Sequence, residues 1–179
     1  MIGYALIGFA ALLSAYLIFN ALMARCSRVG RLAARIRATS DTTTRLALIE
    51  EMGAIARVRS MAGDAALVHL ASLGLGDRDP AIQEYADEVF RATGERALVP
   101  LLGSLDSAGR FRVCLLLESL ASTFPASGSL FRFVLPRLES LAGRPDEDPV
   151  VRQAALRAIK AIEAVHGRPF DVAFQRQRG

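Results

Sequence analysis

From Ile2 to Ala24 no position carries a charge, and large aliphatic or phenylalanine side chains recur throughout the run. The first arginine is Arg25, and Arg28, Arg31, Arg35 and Arg37 follow it. A helix over the apolar run would be roughly 34 Å long, enough for a hydrocarbon core of about 30 Å. The pattern therefore predicts a single transmembrane helix over residues 1–24. No basic side chain precedes the run, and Ala21-Leu22-Met23-Ala24-Arg25 makes a poor cleavage site, so an uncleaved anchor is expected rather than an export signal. All five arginines follow the run, which by the positive-inside rule places the remainder of the chain in the cytoplasm. Residues 25–40 then form a basic juxtamembrane segment. Val29, Leu32 and Ile36 share one helical face and Arg28, Arg31 and Arg35 another, a pattern suited to lying on an anionic leaflet. Setting orientation is the role we expect first of these arginines.

Beyond Thr39-Ser40-Asp41, a run of good N-cap residues, the apolar positions keep a helical period and no strand alternation persists. The pattern also repeats. Asp79-Pro80 and Asp148-Pro149 each join an N-cap acid to a proline in the first helical turn. Behind them Ile82, Tyr85, Ala86, Val89 and Phe90 correspond one for one with Val151, Ala154, Ala155, Ala158 and Ile159. Between these two sets, Val113, Leu116, Leu117, Leu120 and Ala121 carry the same spacing. A second helix recurs too: ALVPLLGSL from Ala97 matches FVLPRLESL from Phe133, with Pro100 over Pro136. Leu48, Ile49, Met52, Ile55 and Ala56, followed by AALVHLASL from Ala65, form an earlier and more diverged unit.

Helical pairs recurring at roughly 30–40 residues are the mark of helical solenoids. The stretch DPVVRQAALRAIKAI, through Asp148, Val151, Arg152, Ala155 and Ile159, resembles a HEAT repeat of the bacterial HEAT-like kind. In the unit opening at Asp79 the arginine position holds Gln83. The resemblance covers residues 41–166 and implies an α-solenoid whose second helices line a binding face. The expected fold is all-α: one transmembrane helix, then a short HEAT-like solenoid, with residues 167–179 as a C-terminal tail. That tail either caps the last unit through Phe170 and Phe174 or stays loose.

Charge and chemistry refine this picture. The formal net charge is +4, but residues 1–40 hold five arginines and no acid. Setting these aside leaves 17 basic against 18 acidic residues, so the body is near neutral and nucleic acid is not the favoured partner. Lys160 is the only lysine, an arginine bias that fits a GC-rich bacterial genome. Together with the anchor, this places the chain in a bacterial inner membrane. Cys26 and Cys114 are too dispersed for a disulfide framework, and free thiols are expected. His69 and His166 sit in helical contexts that predict structural roles, and no metal-ligand spacing, phosphate loop or nucleophile motif occurs. Glu84, Asp87 and Glu88 fall on a polar helix face, and Asp146-Glu147-Asp148 complements a helix N-terminus. No catalytic residue, cofactor or metal is assigned, and no enzymatic activity is expected.

One cluster stands apart. Arg110, Phe111 and Arg112, with Phe131, Arg132 and Phe133, interleave arginine with aromatics as in phosphate- or base-gripping surfaces. The phenylalanines are expected between the helical layers, with the arginines reaching outward. Arg110, Arg112, Arg132 and Arg137 are the candidate partner-binding residues. The expected function is a membrane-anchored cytoplasmic scaffold or adaptor that binds and positions or regulates a partner protein, another protein of the inner membrane. The resemblance to small anchored HEAT-repeat proteins of bacteria implies that this partner is a membrane glycosyltransferase of envelope or exopolysaccharide synthesis. HEAT-like solenoids also include duplex-DNA binders and chromophore lyases, which are the alternatives.

Overall fold

A computed structural model describes residues 27–124 and 128–166. The anchor over 1–24, Arg25, Cys26 and the tail over 167–179 lie outside the described residues. Within them the protein is all-α. The helices are α1 (Arg28–Ala38), α2 (Thr42–Arg57), α3 (Met61–Leu73), α4 (Pro80–Thr93), α5 (Leu98–Gly103), α6 (Arg110–Thr123), α7 (Gly128–Ala142) and α8 (Pro149–His166). A 3₁₀ turn over Gly94–Ala97 leads into α5. Among the described residues no helix is long and apolar enough to cross a membrane.

Local chemistry sets the helix starts. Asp41 accepts from Thr44 N at 2.8 Å, Asp79 from Ala81 N at 2.8 Å and Asp148 from Val150 N at 2.7 Å, each satisfying an amide that the first turn leaves free. Ser27 and Ser60 do the same for α1 and α3. The expected Asp-Pro starts are thus N-caps with proline in the first turn.

Every helix packs beside its second neighbour, giving one row of α2, α4, α6 and α8 and another of α1, α3, α5 and α7. The core fills the space between the rows. All of Val113, Leu116, Leu117, Leu120 and Ala121 are buried, as are Val151, Ala154, Ala155, Ala158 and Ile159. The periodic positions of the sequence are therefore the core-facing positions. Tyr85 is an exception. It is half-buried, its hydroxyl donates to the Glu50 carbonyl at 3.2 Å, and the Arg57 guanidinium lies 5.6 Å from its ring centre.

Two features differ from expectation. The first is α1: Val29, Leu32, Ala33 and Ile36 are buried against α2 and α3, so its apolar face is spent on the body and cannot also enter a leaflet. The packed body accordingly begins before residue 41. The second is the proline match. Pro100 is the third residue of the short α5, where its missing N–H costs nothing, whereas Pro136 lies inside α7.

Close approach at the α2–α3 turn demands glycine at position 63. A Cβ there would collide with the Val58 carbonyl oxygen and lie 2.9 Å from Arg96 Nη2. At an ordinary helical site Gly→Ala stabilises by about 0.5–1 kcal/mol. Here Gly63→Ala is expected to destabilise by about 2 kcal/mol through overpacking, read by urea unfolding followed with far-UV circular dichroism. A more stable variant would show that the turn relaxes freely.

Candidate functional site

In the α1–α3–α5–α7 row each helix turns one side to the core and the opposite side to solvent. On α3 the core takes Gly63, Ala66, Leu67, Leu70 and Ala71, leaving Met61, Ala65 and Val68 outward. On α5 Leu98 and Leu101 are buried, and Val99 is 67% exposed. On α7 Phe131, Val134, Leu135 and Leu138 are buried, which rotates Phe133 outward to 69% exposure. Between α5 and α7 runs a groove of about 100 Å³ lined by Leu98, Val99, Leu102, Leu130, Phe133 and Val134, with no titratable side chain in its walls.

The expectation that Phe111, Phe131 and Phe133 pack between layers fails at Phe133. Two residues along a helix amount to about 200° of rotation, so Phe131 and Phe133 cannot share the core face. Phe131 is fully buried, and Phe111 packs partly buried against the core.

The four candidate arginines separate as well. Arg110 binds Glu147 at 2.9 Å, and Arg112 binds Asp87 at 2.7 Å. Arg137 and Arg144 both bind Asp106, at 3.0 and 2.9 Å. Arg132 is exposed with no ion-pair partner among the described residues. Arg110, Arg112 and Arg137 therefore tie this chain to itself. Arg112 joins α6 to α4, and Arg57–Glu88 and Arg157–Glu118 bridge the same row. Arg57–Glu88 and Arg157–Glu118 are largely exposed, and pairs of that kind contribute about 0–1 kcal/mol each, whereas Arg112–Asp87 is half-buried. Arg110–Glu147 is different, because the Glu147 side chain is 4% exposed and also accepts from Asp148 N. Removing Arg110 would leave a buried carboxylate without its charge partner, a change that costs about 3–5 kcal/mol when both members are buried and less here, where Arg110 is half-exposed. Of the topology arginines, Arg28 pairs with Glu51 at 2.7 Å, Arg31, Arg35 and Arg37 are exposed on α1, and Arg25 lies outside the described residues.

The remaining titratable groups follow from burial. Burial raises the Asp87 carboxyl, opposed by the Arg112 guanidinium. Asp106 is held below the usual carboxylate range by the hydrogen bond from Arg144 and by both arginine charges, against a small burial cost. His69, half-buried on α3, is lowered by burial and then by the Arg37 charge. The described part of the chain has no group of three or more metal-ligating side chains.

No protein-family model, curated protein or solved structure matches this chain.

Cys114 is a free thiol in the core of α6. Burial, followed by the nearby Glu147 charge, pushes its pKa to about 12, so the reactive thiolate is disfavoured. Iodoacetamide at pH 8 is expected to leave Cys114 unmodified in the folded chain and to label it in urea, with peptide mass spectrometry separating it from Cys26. Native labelling at the unfolded rate would show that α6 opens readily.

Proposed function

We propose that this chain is a membrane-anchored cytoplasmic scaffold. In this reading residues 1–24 cross a bacterial inner membrane, and a HEAT-like α-solenoid at its cytoplasmic face binds and positions a partner protein. The packing of every second helix supports the solenoid. The observation that carries the binding role is the groove between α5 and α7, where Val99 and Phe133 are 67% and 69% exposed. Large aromatic side chains at the centre of an apolar patch are typical anchors of protein recognition. Arg132 stands beside the groove on α7 with its charge uncommitted among the described residues, available to an acidic group on the partner. Nucleic-acid binding would need free arginines along one face, and Arg110, Arg112 and Arg137 are already paired. A lyase would need polar groups in its pocket, and this groove is lined by apolar side chains. The resemblance makes a membrane glycosyltransferase of envelope or exopolysaccharide synthesis the first client to look for.

Because Phe133 and Val99 face solvent, replacing them leaves the core intact. The double change Val99→Asp and Phe133→Asp is expected to lower capture of the partner at least tenfold, equivalent to about 1.4 kcal/mol or more, with the melting temperature unchanged. The comparison is quantitative mass spectrometry of proteins co-purified with the intact chain in mild detergent. An identical set captured by the variant would move recognition elsewhere.

A further inference from the structure

The two ends of the helical body differ in charge. Successive helices run antiparallel through short connections, and Arg37 of α1 lies near His69 of α3. Counting nine residues back along both helices sets Arg28 level with Ser60, so α1 begins at the same end as the α2–α3 turn. Arg28–Glu51, Arg57–Glu88 and Arg96–Asp64 all pair groups near this leading end. Arg45–Asp77, Arg110–Glu147 and Arg144–Asp106 pair groups at the trailing end.

At the trailing end the connections 39–41, 74–79, 104–109 and 143–148 contain seven acids and two arginines. At the leading end the connections 58–60 and 94–97 contain Arg59, Arg96 and one acid, Glu95. Arg57 and Arg91 lie in the last turns of α2 and α4 there, and Glu51, Glu88 and Asp64 lie near the same end in ion pairs with Arg28, Arg57 and Arg96. The near-neutral body is therefore polarised: the trailing end is strongly acidic, whereas at the leading end arginines and acids nearly balance.

The leading end also carries the most exposed apolar side chain of the described surface. Met61 is 90% exposed and Val58, three residues before it, is 58% exposed, with the exposed Arg59 between them. Their backbone is firmly held. Ser60 Oγ accepts from Gly63 N at 3.1 Å, and Arg96 Nη2 donates to the Val58 carbonyl at 3.0 Å. A rigid turn thus projects two apolar side chains and one cation into solvent. In the sequence, only Arg25 and Cys26 separate the apolar run ending at Ala24 from Ser27, a reach of about 10 Å even when extended.

We infer that the α2–α3 turn is a membrane-contact site, with Val58 and Met61 entering the interface of an anionic bilayer and Arg59 meeting lipid phosphate. The inference rests on the proposed anchor, whose short connection keeps this end against the leaflet. Charge selects which end meets an anionic leaflet: the acidic trailing end is repelled from it, whereas the leading end is near balance and sets the exposed Arg59 between its two apolar side chains. The body is thereby held upright on the membrane, with the α5–α7 groove facing sideways along the leaflet.

The chain contains no tryptophan, so one introduced indole reports its own surroundings. Full-length Met61→Trp, Val58→Trp and, as trailing-end control, Pro145→Trp would be reconstituted in vesicles of phosphatidylcholine and phosphatidylglycerol and floated. Brominated lipid is expected to quench the indoles at 58 and 61 several-fold more strongly than the one at 145, and Arg59→Glu is expected to reduce that quenching. Equal quenching at all three sites in floated vesicles would overturn the contact site while leaving the anchor standing. Absence of the chain from floated vesicles would overturn both. Unchanged quenching at 58 and 61 in phosphatidylcholine alone would overturn the anionic preference.

Discussion

Burial of a continuous apolar seam between every second helix holds this body together. A single pair of helices cannot hide its apolar face, and only stacking of neighbours along both rows removes it from water. Small side chains make the close approach tractable: Ala154, Ala155 and Ala158 are fully buried where α8 meets α6 and α7. The same constraint explains α1. Its apolar face is needed to close the first end of the seam, so its arginines are presented on a helix fixed to the body. It also explains the arginine pairs, since side chains flanking a seam between adjacent helices lie within reach of acids on the next helix.

The charge asymmetry has a similarly simple origin. Helix N-termini favour acidic caps and helix C-termini favour cations. In this topology α2, α4, α6 and α8 all start at one end, so the capping acids of three of them collect there. A local preference repeated in register becomes a property of the whole molecule. The near-zero charge of the body conceals it, because a sum says nothing of where the charges lie.

Much of the fold was legible in the residues. The repeated spacing of Val113, Leu116, Leu117, Leu120 and Ala121 marks a core face because burial follows the helical period. The caps at Asp41, Asp79 and Asp148 were legible because a cap is made within a few residues of chain. The candidate site was read less well. Phe131 and Phe133 look equivalent in a string of alternating arginine and phenylalanine, and only the rotation of α7 against its neighbours buries one and exposes the other. Arg110, Arg112 and Arg137 look available until residues 25–37 positions away supply Glu147, Asp87 and Asp106.

The sequence by itself determined the helical periods, the capped starts at Asp41, Asp79 and Asp148, most positions that face the core and the uncharged run before the first arginine. These depend on interactions within a turn or two, where side-chain type and spacing suffice. The tertiary structure decided which apolar side chains remain in water, which arginines are spent on ion pairs, that α1 belongs to the body, and which turns share an end. Those outcomes depend on how distant helices are rotated and aligned against one another, and packing of the whole seam sets that alignment.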